Sequence, residues 1–130
     1  DYFRRSASVS PYTFEWDQNQ ISLQPAFEEI FHERRTGAKG IGARFHLMLV
    51  EMVRAVAMRD GYEKIAFSGG VFQNSLLVDL LLNQLSKDFQ LHFHQELSPN
   101  DECIPYGQLA HTYYIQNKEN INLKSAEQCA

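Results

Sequence analysis

The sequence predicts an α/β fold, and three neighbouring segments support this prediction. The apolar segment Lys64–Phe67 is too short for a helix and is bounded by Gly61 and Gly69, as expected of a central strand. A leucine-rich helix is predicted over Asn74–Leu85, and a second strand over Phe89–Leu97, where apolar and polar residues alternate. A strand, a helix and a strand joined by a crossover of this length form a right-handed unit with parallel strands.

Upstream of these segments, the sequence predicts an arm and two helices. Residues 1–20 contain aromatic side chains without a sustained period, so we expect an N-terminal arm there. Pro25 suits the first turn of a helix that stops at Gly37. Apolar residues then recur at steps of three and four between Ile41 and Val56, which predicts a long helix with one apolar face.

Downstream of the second strand, the sequence predicts one more helix. This helix begins near Pro105 and is expected to end near Asn117. The remaining residues, 118–130, are polar, and we expect them to form a frayed tail. These predictions divide the chain into the arm, one lobe over residues 21–117 and the tail.

Length and composition limit the class of protein. A chain of 130 residues, 44% of them hydrophobic, can bury one ordinary core. The net charge of −4 and the scattered basic residues argue against a nucleic-acid partner. The sequence has neither the run of roughly 18 to 20 apolar residues that spans a bilayer nor the apolar core of a signal peptide. The two cysteines, Cys103 and Cys129, lack metal-site spacing, and together these features predict a cytoplasmic protein without a membrane partner.

The turn Ser68-Gly69-Gly70 has two physical interpretations. Glycines expose backbone N–H groups at the positive end of a helix dipole, where the phosphates of a nucleotide can approach closely. However, any tight turn between a strand and a helix favours glycine, and the segment matches neither a Walker A loop nor a GxGxxG fingerprint. A phosphate-binding turn predicts that the N–H groups of both glycines are free of main-chain hydrogen bonds.

Three longer strings resemble a known family. They are "ARFHLMLVEMV", "FSGGVFQNSLL" and "LSPNDECIPYGQLA", and they are similar to strings in the C-terminal part of the HypF-type hydrogenase maturation carbamoyltransferases. Members typically read Leu-Ser-Gly-Gly-Val-Phe-Gln-Asn at the second string and Pro-x-Asn-Asp-Gly-Gly-x-x-x-Gly-Gln at the third. The resemblance covers Gly42 to about His111, which is more than half of the chain.

The resemblance implies a fold and an activity. The fold is one lobe of the RNase H-like type shared by actin, Hsp70 and the sugar kinases, in which two lobes close over ATP. The activity is a carbamoyltransferase reaction, in which carbamoyl phosphate and ATP yield a carbamoyl-adenylate. The carbamoyl group then passes to a cysteine thiol of a HypE-like partner protein and becomes a cyanide ligand of nickel-iron hydrogenase.

One lobe of such an enzyme is expected to be inactive alone, because the other lobe of the same enzyme completes the site. No catalytic side chain of this chain is implied by the resemblance. The alternative function is a noncatalytic interaction module of the actin-like ATPase type, in which the glycine turn is only structural.

The resemblance also implies site residues. It implies that the nucleotide is bound by Ser68, Gly69, Gly70 and Asn74. It also implies that the metal is bound by Asp101. The Asp101 carboxylate suits Mg²⁺ or another divalent metal near the phosphates. From the residues alone, Asn74 is equally well a cap of its own helix, and Asp101 a cap of the last helix.

The chain departs from the family pattern beside Asp101. The family has Gly-Gly at the positions of Glu102 and Cys103, so this chain adds bulk and a negative charge next to the expected phosphate site. We expect Cys103 to be a small, unreactive side chain, since no histidine and aspartate order it as a nucleophile.

The histidines are a second departure. The family's metal-binding His-x-x-x-His pair has no counterpart, because neither His32 and His46 nor His92 and His94 have that spacing. His46 lies near the apolar face of its helix, and we expect it to be a packed histidine and not a metal ligand. His92 and His94 are expected to face solvent on one side of the second strand.

Overall fold

The computed structural model describes residues 9–37 and 39–127, and of residues 119–127 it describes the backbone alone. The chain divides into two compact units. The first contains the described residues up to Ala66 together with Asn74–His92, and the second contains Phe67–Gln73 and the described residues from Phe93 onwards. No helix within the described ranges combines the length and the apolar character needed to cross a membrane.

A β-hairpin begins inside the segment that the sequence predicts as an arm and extends past its predicted end at residue 20. Its strands are β1, Glu15–Asp17, and β2, Gln20–Ser22, which pair antiparallel with Trp16 opposite Ile21. Gln18 in the connecting turn has a φ of 54°, in the left-handed region. Strands of three residues are too short for an alternating pattern to be recognised, and therefore periodicity misses them.

The helices of the first unit lie where the apolar periodicity predicts them. They are α1, Gln24–Thr36; α2, Ile41–Asp60; and α3, Ser75–Leu85. Pro25 occupies the first turn of α1. Gly37 and Gly61 end α1 and α2 with a φ of 71° each, a backbone conformation that glycine adopts without a steric cost.

The core of the first unit lies along α2 and α3. Met48 of α2 is fully buried and packs with Tyr12 of the arm and Ala26 of α1. The other buried side chains of α2 and α3 are Ala43, Leu47, Val50, Ala57, Leu77, Leu80, Leu81 and Leu85. Each large side chain buried in this way contributes about 1.5 to 3 kcal/mol to stability, which is how the predicted apolar faces hold the unit together.

A parallel strand pair confirms the predicted fold class. Strand β3, Lys64–Ala66, pairs with β4, Gln90–His92, and Ile65 lies opposite Leu91. Helix α3 connects the two strands in the sequence, so the predicted strand, helix and parallel strand are present and the chain is α/β.

The second strand is shorter than predicted, because β4 ends at His92 and not at Leu97. The alternating pattern continues through Phe93, but the ring of Phe93 stacks on that of Phe67 in the second unit. Their ring centres are 4.5 Å apart and the rings are tilted by 12°. Aromatic packing therefore replaces the continued ladder at this point.

The second unit contains short 3-10 helices and one long α-helix. The 3-10 helices are Gly70–Gln73 and Asp101–Cys103, and α4 is Ile104–Glu127. Helix α4 continues past the predicted end near Asn117, because its last residues, although polar, include good helix formers and neither proline nor glycine. The prediction of a frayed tail is therefore wrong up to Glu127, whereas the domain boundaries at residues 20 and 117 stay predictions.

A charged cluster ties the arm to α1 and α2. Arg44 forms ion pairs with Glu33 and with Glu29, the latter at 2.8 Å between Nη2 and Oε2. Its Nε donates to the carbonyl oxygen of Ser10 at 3.0 Å, and its guanidinium lies 4.0 Å from the centre of the Tyr12 ring. The Tyr12 hydroxyl donates to Glu33 Oε2 at 2.5 Å. Arg44 of the string "ARFH" therefore joins three segments of the first unit.

Alkaline pH is expected to destabilise the first unit through Tyr12. Burial, followed by the hydrogen bond to Glu33 and the negative charge of Glu33, raises the pKa of Tyr12 to about 12 from its ordinary value of 10.0. The unfolded chain then ionises at a lower pH than the folded chain. The stability that neutral Tyr12 contributes is complete below about pH 10 and is lost as the pH rises to about 12.

Urea midpoints of wild type and Tyr12→Phe, measured between about pH 9 and pH 12, test this expectation. The wild type should lose more stability with rising pH than Tyr12→Phe, whose ring cannot ionise. Equal slopes for the two proteins would contradict a role for Tyr12 ionisation.

Candidate functional site

The first glycine of the Ser68-Gly69-Gly70 turn has a conformational role. Gly69 has a φ of 113°, a backbone conformation that residues with a Cβ rarely adopt. Its N–H donates to the carbonyl oxygen of Pro99 at 2.6 Å. The prediction that both glycine N–H groups are free is therefore wrong for Gly69.

The second glycine keeps its N–H group available. Gly70 begins the 3-10 helix Gly70–Gln73 and is exposed, and its N–H has no hydrogen-bond partner within the described residues. A Cβ built on Gly70 would lie 3.9 Å from the Cβ of Asn100, which is an ordinary contact. The geometric requirement for a phosphate contact is thus met at Gly70 alone of the pair.

Two strings that lie about 30 residues apart in the sequence meet in the second unit. Besides the hydrogen bond from Gly69 to Pro99, the side-chain amide of Gln73 donates to Ser98 Oγ at 3.2 Å. Phe72 of the first string also packs edge-on against Phe93, which precedes the second string, with ring centres 6.3 Å apart. The "SGGVFQ" and "SPND" strings therefore form one surface of the second unit.

The side chain of Ser68 contacts His94, a residue that the sequence analysis placed on the solvent-facing side of a strand. The Nε2 atom of His94 lies 3.0 Å from Ser68 Oγ, and both side chains are exposed. The sequence predicts His94 as one of two solvent-facing histidines on a strand, but the strand ends at His92. The sequence analysis missed this contact because it extended the strand through His94, and no local pattern around His94 indicates it.

In the first unit, Asn74 is the cap of α3. Its Oδ1 accepts hydrogen bonds from the N–H groups of Leu76 at 3.1 Å and Leu77 at 3.4 Å. Its Nδ2 lies 3.0 Å from Nε2 of His46, whose Nδ1 lies 2.7 Å from the carbonyl oxygen of Gly42. The capping alternative for Asn74 is therefore present, and the expected packing of His46 takes the form of a polar contact with that cap.

The Asp101 side chain caps neither α4 nor the 3-10 helix Asp101–Cys103 that precedes α4, since it accepts no hydrogen bond within the described residues. The preceding residue caps this 3-10 helix, because Asn100 Oδ1 accepts from the N–H of Glu102 at 3.0 Å. Asp101 and Glu102 are both exposed in the first turn of the 3-10 helix. The capping alternative for Asp101 is wrong, and its carboxylate is left available to a cation.

The described residues contain no group of three or more His, Cys, Asp or Glu side chains that could hold a metal ion. Cys103 is a half-buried free thiol, and Cys129 lies outside the described residues. A metal ion bound at Asp101 therefore requires further ligands from a nucleotide, from water or from another polypeptide.

Most of the chain is similar to known carbamoyltransferases. Residues 2–108 match the model of a family described as "Carbamoyltransferase, Kae1-like Domain, second subdomain". The carbamoyltransferase HypF of Synechocystis sp. (strain ATCC 27184 / PCC 6803 / Kazusa) is 36% identical over 90 residues, which are 68% of this chain and 12% of that protein. No solved structure matches the chain. The chain spans about an eighth of this relative and belongs to the HypF-type carbamoyltransferase family, in which it corresponds to the second subdomain of the Kae1-like domain.

Proposed function

We propose that this chain supplies nucleotide and metal contacts to a carbamoyltransferase of the HypF type. In this proposal the chain is part of an actin-like lobe, and the other lobe of the same enzyme completes the site. Carbamoyl phosphate and ATP are the substrates, and a cysteine thiol of a HypE-like maturation protein receives the carbamoyl group. The observation that carries the proposal is the contact between the Ser68-Gly69-Gly70 turn and the Pro99 segment.

This contact supports the proposal because it gathers groups of the right chemistry. The free Gly70 N–H and the Ser68 hydroxyl are donors of the kind that phosphate oxygens accept. The bond from Gly69 to Pro99 connects this turn to the segment that carries Asp101. We propose that Ser68, Gly69 and Gly70 contribute to nucleotide binding, with Gly69 acting through its backbone conformation. Asn74 stays a proposed nucleotide contact on the family resemblance alone, and in the first unit it caps α3.

The exposed carboxylates fit a divalent cation that arrives with a nucleotide. Magnesium is usually held by one or two carboxylates together with phosphate oxygens and water. Asp101, with Glu102 beside it, presents such oxygens without a competing salt bridge within the described residues. When bound, the cation would neutralise phosphate charge during carbamoyl transfer.

Titration of the chain with Mg²⁺ and ATP, followed through backbone amide resonances, tests the proposal. The Gly70 amide should shift first, and the Gly69 amide less, because the latter is already bonded to Pro99. Gly61, which ends α2 in the first unit, serves as the control glycine. Binding should be weak, since the chain supplies only part of the contacts, and no carbamoyl-phosphate-dependent ATP cleavage is expected. A Gly70 amide that stays unchanged at saturating ATP would contradict the proposal.

Asp101 is expected to act through its charge. Asp101→Asn should leave the free energy of unfolding within about 0.5 kcal/mol of wild type, because the residue is exposed and is not a cap. The same change should abolish the dependence of ATP affinity on Mg²⁺, since an amide lacks the negative charge that holds the cation. Isothermal titration with ATP in the presence and absence of Mg²⁺ measures this effect.

Asn100→Ala is the matched control for Asp101. It removes the cap and should cost about 0.5 to 2 kcal/mol of stability, while the Mg²⁺ dependence is retained. If Asp101→Asn keeps the full Mg²⁺ dependence, Asp101 is not a ligand. Glu102→Gln is then the next variant to measure.

Exposed apolar side chains on α4 fit a second candidate function, a noncatalytic interaction module, as well as the first. Large side chains more than half exposed on this helix are Ile104, Tyr106, Leu109, Tyr113 and Tyr114. Such a surface suits either the other lobe of the same enzyme or a separate partner protein. The ATP titration separates these candidates, because the noncatalytic module predicts no response at Gly70.

A further inference from the structure

The contact between Ser68 and His94 has a fixed place in the second unit. Ser68 directly follows Phe67 in the chain, and His94 directly follows Phe93. The rings of Phe67 and Phe93 are stacked with centres 4.5 Å apart, and Phe67 is buried. This stack holds the two backbones side by side, so that the 3.0 Å contact between His94 Nε2 and Ser68 Oγ is built into the packing.

The direction of this hydrogen bond decides what Ser68 offers to a ligand. A serine hydroxyl has one proton and two lone pairs, whereas neutral imidazole carries its proton on either nitrogen. If the Ser68 proton points at His94, only lone pairs face the turn, and these repel phosphate oxygens. If His94 Nε2–H donates to Ser68 Oγ, the hydroxyl proton is free for an anion.

We propose that His94 is a positioning residue that donates its Nε2–H to Ser68 Oγ and thereby directs the Ser68 hydroxyl toward phosphate at the glycine turn. The inference rests on the proposed function, because it concerns the phosphate contact assigned to Ser68. His94 acts through Ser68 in this arrangement and does not itself touch the phosphate.

His46 provides an internal reference, because its contacts place the ring proton on Nδ1, whereas the proposal places the ring proton of His94 on Nε2. His46 Nδ1 lies 2.7 Å from the carbonyl oxygen of Gly42, which can only accept, so Nδ1 carries the proton. Its Nε2 then accepts from Asn74 Nδ2, whose identity follows from the capping bonds made by Oδ1. His46 and His94 should therefore be different neutral tautomers in one protein.

The tautomers are measurable without a ligand. Nitrogen chemical shifts of the histidine rings, recorded at about pH 8.5 where ordinary imidazole is neutral, distinguish Nδ1–H from Nε2–H. We expect Nε2–H for His94 and Nδ1–H for His46. Finding Nδ1–H at His94 would overturn the proposal whether or not the chain binds ATP.

The second test, which requires a ligand, uses variants of His94 in the full 130-residue chain, with Mg²⁺ and ATP as the probe. His94→Phe removes the donor and should weaken ATP binding about tenfold, the effect of one hydrogen bond to a charged group. His94→Gln keeps a donor on its side-chain amide and should stay within about twofold of wild type. His92→Phe makes the same chemical change on exposed β4 and should leave the affinity unchanged.

A double variant separates an action through Ser68 from direct contact. Ser68→Ala should weaken binding as much as His94→Phe, and the two changes together should weaken it no further. If the second change adds a further loss, His94 contacts the ligand itself and the proposal is overturned. If Ser68→Ala weakens binding and His94→Phe does not, the His94 proposal fails while the proposed function stands. If wild type does not bind ATP at all, both fail.

Discussion

Arg44→Ala is expected to lower the free energy of unfolding by up to about 3 kcal/mol, the lower end of the cost for a fully buried ion pair, because the pair here is partly buried. The side chains of Arg44 and Glu33 are 17% and 20% exposed, so the loss leaves a carboxylate with little access to water. Glu29 is better solvated, which keeps the effect at the lower end. The same variant removes the contact with the Tyr12 ring and the hydrogen bond to Ser10. Urea unfolding at about pH 7 measures this loss.

Arg54→Ala is the matched control on the same helix. Arg54 Nη1 lies 2.5 Å from Asp88 Oδ2, but the Asp88 side chain is 53% exposed. An ion pair in this environment is worth at most about 1 kcal/mol, because water solvates the remaining carboxylate. Equal losses for Arg44→Ala and Arg54→Ala would show that the cluster around Arg44 is no more than an ordinary surface ion pair.

Gly69→Ala should destabilise the second unit by about 1 to 3 kcal/mol, the cost of holding a side-chain-bearing residue in a sparsely populated backbone region. The space around Gly69 is open, so the penalty comes from its φ of 113° and not from a clash. Relaxation of this strain would also disturb the hydrogen bond to Pro99. Hydrogen exchange of second-unit amides, together with thermal unfolding, should report the loss.

Gly70→Ala should have the opposite profile. Its Cβ meets only an ordinary contact with Asn100, so stability should stay within about 0.5 kcal/mol of wild type. ATP binding should nevertheless weaken, because the new methyl group stands beside the free N–H. If Gly70→Ala binds ATP as well as wild type does, the turn is structural, and the noncatalytic function gains support.

Local sequence patterns were sufficient for the elements of the first unit with a long apolar period. The repeat between Ile41 and Val56 predicts α2, and the leucines after Asn74 predict α3, because a helix must bury one face. The pattern was misleading where another interaction replaced the expected one. Phe93 continues the strand alternation, yet it stacks on Phe67 and β4 ends before it.

The members of the candidate site stay predictions, and the structure adds the contacts that each of them makes. The resemblance points to Ser68, Gly69, Gly70, Asn74 and Asp101, and the family membership is confirmed. Ser68 and Gly69 have partners that are distant in the sequence, whereas Asn74 caps its own helix through Leu76 and Leu77. Gly69 and Gly70 are indistinguishable in the sequence, but only the N–H of Gly69 donates a hydrogen bond to Pro99.

The sequence by itself determined the α/β class, the helices of the first unit, the position of the glycine turn and the family. These properties follow from periodicity, from the backbone freedom of glycine and from strings of neighbouring residues. Only the tertiary structure decided that the turn meets the Pro99 segment and that His94 contacts Ser68. Backbone N–H and carbonyl groups are the same in almost every residue, so no letter of the sequence records which distant pair will bond.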